Sequence, residues 1–214
     1  MDLSANEIVG LFDRIGIVAF AFSGVEAGTR RRLDVFGLLV MGIVTATGGG
    51  VLRDVVLARR PFVLVHADYL LWAALATGAA IMLVTMRRAM PRAVLGAADA
   101  AGVGAFAAAG AIAAIDAGLP FPAIVLLAII TATGGGVMRD LLLRRVPLVL
   151  RSELQATAAA LGAFVVWGMH PWSENGAALG GAAIAAVTRG ASLIFALQLP
   201  RLGTATVKDD GGDL

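Results

Sequence analysis

The sequence predicts an all-α polytopic membrane protein of seven transmembrane helices, built as two inverted three-helix repeats plus a seventh helix. Three observations carry that reading. The 214 residues are 59% hydrophobic and only 15% charged, against roughly 25% charge in a water-soluble domain, and the mean hydropathy is +0.87. Seven apolar stretches each come near the roughly 20 residues that a membrane crossing requires. A twenty-residue block also occurs twice, as TATGGGVLRDVVLARRPFVL at 45–64 and TATGGGVMRDLLLRRVPLVL at 131–150, identical at fourteen positions at a constant offset of 86.

The spans fall at about 7–28, 35–58, 67–86, 93–115, 121–144, 153–170 and 176–199. Short polar punctuation separates them: TRRRLD, RRPFVLVHAD, RRAMPR, DAGLP, RRVPLVLRS and HPWSEN. The first span is expected to be a retained helix, because Asp2 and Glu7 replace the basic flank of a cleaved signal peptide. The 27 glycines and many alanines suit close helix approach in lipid. Without cysteine there is neither a disulfide nor a thiolate metal site. The tail from Pro200 is polar and is expected to be disordered. Tyr69, Trp72, Trp167 and Trp172 read as interfacial residues.

Charge placement sets the orientation. With the N-terminus outside, the inner side holds Arg30, Arg31, Arg32, Arg87, Arg88, Arg92, Arg144, Arg145, Arg151, Arg201 and Lys208, and the outer side only Arg59 and Arg60. The positive-inside rule then gives an outer N-terminus and a cytoplasmic C-terminus in the cell (inner) membrane. Net charge is only +2 despite a pI near 9.9, so the arginines mark loops and no nucleic-acid partner is expected.

The 86-residue offset extends beyond the duplicated block, aligning Asp13 with Asp99, Gly16 with Gly102, Phe20 with Phe106 and Gly24 with Gly110. The repeating unit thus contains three helices. An odd number inverts the second copy, which places the two halves about a pseudo-twofold axis in the membrane plane. The divisions are 1–92 for the first repeat, 93–174 for the second, 175–199 for the seventh helix and 200–214 for the tail.

The duplicated motif is the candidate functional site. Gly48, Gly49 and Gly50, with Gly134, Gly135 and Gly136, are expected to break the second and fifth spans, since a break is tolerated where backbone lines a wet cavity. A close crossing of the two helices is the other reading. Thr45, Thr47, Thr131 and Thr133 precede the breaks and offer hydroxyls to freed backbone groups or to a path. Adjacent helical residues point about 100° apart, so Arg53 is not expected to neutralise Asp54, nor Arg139 to neutralise Asp140. The expected arrangement is crossed: Arg53 with Asp140 and Arg139 with Asp54, because an unpaired charge at mid-membrane costs at least about 2.5–3.5 kcal/mol.

Asp13 and Asp99 form a second symmetric couple. Asp13 has Arg14 beside it, whereas Asp99 has only alanines, which makes Asp99 the better cation-facing carboxylate. Ser23 beside Gly24 marks a kink, Glu26 a helix end, and Arg189 a charge seeking either an inward acid or a subunit contact. Catalysis and cofactors are not indicated. GGGVLRD lacks the Lys-Ser/Thr of a phosphate-binding loop, and His66 and His170 have no ligand spacing, so the only metal expected is transient potassium.

Seven spans, a duplicated three-helix unit and GGGxxRD in the second helix of each half resemble the prokaryotic branch of the trimeric intracellular cation (TRIC) channel family, over residues 8–199. The resemblance implies a homotrimer in membrane lipid, with a pore inside each protomer that conducts monovalent cations, chiefly potassium, and is shaped by kinked second and fifth helices. Animal members carry a Lys-Glu pair in the pore region. Here the pairs are Arg-Asp, and the lipid-binding role of that lysine is not transferred. Bacterial relatives are also assigned as glycine transporters, so an alternating-access carrier of a small amino acid is the alternative.

Overall fold

The structure is a computed structural model and describes residues 5–86, 91–150 and 154–197. The predicted tail lies outside the described residues, as do Arg87, Arg88, Arg151, Arg201 and Lys208 of the orientation count. All regular structure among the described residues is helical: α1 (Ala5–Arg30), α2 (Val35–Val56), α3 (Phe62–Val65), α4 (Ala67–Thr85), α5 (Arg92–Asp116), α6 (Phe121–Leu142), α7 (Gln155–Met169) and α8 (Glu174–Ile194), with one 3₁₀ turn at Leu148–Leu150.

Helix ends follow local chemistry. Asp34 caps α2 by accepting from the Gly37 amide at 2.7 Å, and Ser173 caps α8 by accepting from Gly176 at 3.0 Å. Six helices (α1, α2, α4, α5, α6 and α8) are long and apolar enough to cross a membrane. The sixth predicted span is shorter than expected. α7 has 15 residues, roughly 22 Å at 1.5 Å per residue, and lies against α5, α6 and α8. The short helix α3 and the 3₁₀ turn, at equivalent positions 62 and 148, fall in segments where the sequence predicts loops.

The centre of the bundle is made by α1, α2, α5 and α6, with α4 against the first pair and α7 against the second. Glycines show how the halves meet. A Cβ on Gly16 would sit 2.7 Å from the Phe106 ring, and one on Gly102 would sit 2.6 Å from the Phe20 ring. These are the same contact written twice, since 16 matches 102 and 20 matches 106. The two phenyl rings meet edge to face at 5.3 Å. Reciprocal contact of this kind is the mark of a twofold relation.

The triple glycines correct an expectation. Both α2 and α6 stay α-helical through them, and no glycine there has a positive φ. The glycines act at the crossing instead. A Cβ on Gly49 would lie 2.1 Å from the Thr131 carbonyl oxygen, and one on Gly135 would lie 2.1 Å from the Thr45 carbonyl oxygen. Helix backbones that touch leave no room for any side chain.

Candidate functional site

Each copy of the Arg-Asp motif closes the last turn of its central helix. Beyond it the chain reverses through a left-handed residue, Ala58 (φ 53°) after α2 and Arg144 (φ 52°) after α6. That turn returns the Arg59 amide to the Asp54 carbonyl at 3.0 Å and the Arg145 amide to the Asp140 carbonyl at 2.8 Å. The aspartate side chains then hold the next segment. Asp54 accepts from the Phe62 amide at 2.8 Å, and Asp140 accepts from the Leu148 amide at 3.0 Å. Each aspartate thus organises the turn that follows its helix.

The arginines do not cross between repeats, contrary to expectation. Arg53 Nε donates to Asp54 at 3.0 Å, and Arg139 Nε donates to Asp140 at 2.9 Å. The side chain is long enough to fold back over its neighbour, so the 100° separation at Cα does not keep the charges apart. Beyond that shared bond the two copies differ. Arg53 forks onto Asp13 through Nη1 and Nη2, at 2.8 and 2.9 Å, a bidentate geometry that fixes both partners. Phe62 covers it at 5.5 Å, and the side chains of Arg53 and Asp13 are each 2% exposed. Asp13 therefore pairs with Arg53, while Arg14 reaches out to Asp68 at 2.8 Å and lies over Tyr69. Tyr69 is buried between Phe62 and Arg14.

In the second repeat the equivalent fork is absent. Arg139 Nη1 donates to Ser23 at 2.6 Å, and Asp99 accepts from Arg189 Nε at 2.7 Å. Asp99, which has only alanines beside it in the sequence and is expected to face a cation, is thus paired with an arginine from α8. The Ser23 contact was missed because its repeat counterpart, Ala109, has no hydroxyl. A cavity of about 880 Å³ opens here, bordered by Ser23, Asp99, Arg139, Asp140 and Arg189. Its lining also includes Glu26, Arg30, Arg31, Arg144 and Arg145, so six arginines face three carboxylates. Glu26 pairs with Arg30, and the exposed Arg31, Arg144 and Arg145 make no ion pair among the described residues.

The threonines occupy the buried ground between the sealed and the open cluster. Thr45, Thr47, Thr131 and Thr133 each donate to the carbonyl one turn earlier in their own helix, at 2.6 to 2.8 Å. Such back-bonding bends helices slightly, and all four threonines are buried, Thr45 and Thr131 completely. The structure thus brings Ser23, Asp99, Arg139 and Asp140 together at a water-accessible cavity and holds Asp13, Arg53 and Asp54 in a closed cluster near the other end of the bundle.

A family described as "Glycine transporter" matches the chain twice, over residues 10–86 and 97–171, once in each repeat. A "UPF0126 membrane protein" of Deinococcus radiodurans is 39% identical over 191 residues, 88% of this chain and 89% of the relative. Among solved structures, a TRIC cation channel superposes with a TM-score of 0.85 at 34% identity, covering 92% of this chain and 98% of that one. The trimeric intracellular cation channel orthologue from Rhodobacter sphaeroides superposes with a TM-score of 0.78 at 32% identity, covering 89% and 99%.

Proposed function

The chain belongs to the Glycine transporter family and shares its fold with TRIC cation channels, and on that premise we propose that it is a potassium-permeable cation channel with a path inside each protomer of a homotrimer. The fold shared with those channels over nearly the whole chain carries this reading. The path runs from the arginine-bordered cavity, past Ser23, Asp99, Arg139 and Asp140, along the Thr131–Gly136 and Thr45–Gly50 segments, to the seal formed by Asp13, Arg53 and Asp54. Carboxylates and threonine oxygens are hard ligands suited to an alkali cation, and each inward arginine is held by a carboxylate that lowers its repulsion of a cation. The triple glycines shape the path by letting α2 and α6 touch, with both helices unbroken.

The distribution of loop arginines supports an outer N-terminus and a cytoplasmic C-terminus, with the cavity facing the cytoplasm. The repeats are assigned to 1–92 and 93–174, with 175–199 as the added helix. A second reading, an alternating-access carrier of a small amino acid such as glycine, is favoured by the family description and by the unequal state of two equivalent Arg-Asp sites. Inverted repeats that exchange such states are how carriers alternate.

Proteoliposomes separate the two. A channel gives potassium flux that continues without saturation and is indifferent to glycine. Saturable uptake of labelled glycine with no potassium flux overturns the channel. Arg139→Ala is expected to change the conductance or its gating, and currents identical to the unmutated protein would show that Arg139 does not border the path.

A further inference from the structure

Arg189 stands outside the repeat, on α8, and has no counterpart in the first half. Its partner Asp99 does have one. Asp13, the equivalent of Asp99, is gripped by Arg53 at 2.8 and 2.9 Å, and the equivalent of Arg53 is Arg139. Repeat symmetry therefore supplies Asp99 with an arginine of its own, already within the same cavity lining. That bond is not made. Arg189 occupies Asp99 at 2.7 Å, and Arg139 donates to Ser23 of α1 at 2.6 Å. Where the partners are joined the site is sealed, with side chains 2% exposed. Where they are separated the cavity opens, and the Asp99 side chain is 21% exposed.

We propose that Arg189 is a positioning residue that keeps this mouth open: by holding Asp99 it denies Arg139 the partner that would close the second repeat as Arg53 and Asp13 close the first. The two halves match in their aspartate-anchored turns and in the Gly49 and Gly135 crossing; the first also has Phe62 over its arginine and Arg59 on Asp54, but the difference that acts on Asp99 itself is the charge on the added helix. Removing it converts the second half to the closed arrangement of the first. The meaning for conduction rests on the cavity being one end of the path, but the opening itself is a property of the fold.

The chain has no cysteine, so one engineered thiol reports the cavity. Gly96 lines it, and a Cβ there meets only Leu193 at 3.6 Å, so Gly96→Cys is sterically mild. The readout is the labelling rate of this thiol by N-ethylmaleimide, a neutral probe indifferent to the charge removed, in detergent-purified protein. In the Gly96→Cys background, Arg189→Ala is expected to slow labelling by about tenfold, a shift of population from open to closed. Adding Asp99→Ala is expected to restore the rate, because Arg139 then has nothing to close onto. An unchanged rate in Arg189→Ala overturns the proposal. So does a slow rate that Asp99→Ala does not restore, which would mark Arg189 as a mere tether between α5 and α8.

Should Arg189→Ala fail to fold, Arg189→Met decides, since it keeps most of the side-chain volume and removes only the guanidinium that holds Asp99. Labelling slowed by at least about threefold sustains the proposal, and an unchanged rate overturns it. Labelling reads the cavity directly, so a protein that passes no current yet shows this pattern refutes the channel and not the role of Arg189.

Discussion

Replacing Gly49 with alanine places a methyl carbon 2.1 Å from the Thr131 carbonyl oxygen, where ordinary contact begins near 3.4 Å. The obstacle is backbone in the middle of a helix, so no side-chain rotation relieves it. The α2–α6 crossing has to widen by roughly 1 Å, and overpacking of this kind costs about 1–3 kcal/mol. Gly135→Ala meets the Thr45 carbonyl at the same 2.1 Å and is expected to cost the same. Gly136 is the internal control. Its Cβ meets only Arg139 Nη2 at 3.8 Å, and alanine there gains up to about 1 kcal/mol of helix propensity. The expected gap between Gly49→Ala and Gly136→Ala is about 1–4 kcal/mol, or roughly 2–16 °C in Tm for a chain of this size. Thermal unfolding of the detergent-purified variants, followed by tryptophan fluorescence, measures it. Equal stability of the two variants would refute the crossing role and return the glycines to a purely local, conformational one.

Arg53→Gln leaves Asp13 buried without its cation and is expected to cost about 3–5 kcal/mol, whereas Arg139→Gln, at a side chain 10% exposed, is expected to cost less than half of that in the same unfolding assay. The Arg14–Asp68 pair is 38% and 47% exposed, and a double-mutant cycle on it is expected to return a coupling below about 1 kcal/mol. Thr77 buries its hydroxyl without a partner among the described residues, so Thr77→Val is expected to be neutral or to stabilise by up to about 1 kcal/mol in thermal unfolding.

The sequence was most informative where the two halves agreed with each other. The same offset of 86, carried from the duplicated block back to Asp13 and Asp99, pointed to a three-helix unit, and the reciprocal contacts of Gly16 with Phe106 and Gly102 with Phe20 agree with it in three dimensions. The triple glycines were misread because helix propensity is a local quantity. Gly49 and Gly135 are required by carbonyls 82 and 90 residues away along the chain, and nothing in TATGGG announces them. The adjacency rule failed for Arg53–Asp54 because it describes where side chains start, and a guanidinium ends several bonds later. Arg189 was recognised as out of place, but its partner was not legible. Symmetry offered Arg139 to Asp99, and only the packing of α8 against α5 shows that a residue outside the repeat has taken that place. Likewise α3 is four residues long and exists through the Asp54 contact, too short to register as periodicity.

The most direct measurement is a planar-bilayer recording of the purified protein under a potassium/sodium gradient. Discrete unitary currents with a reversal potential on the cation side, shifted toward potassium, are the expected result. A silent bilayer from protein that takes up glycine saturably in liposomes would contradict a channel and establish a carrier on the same fold.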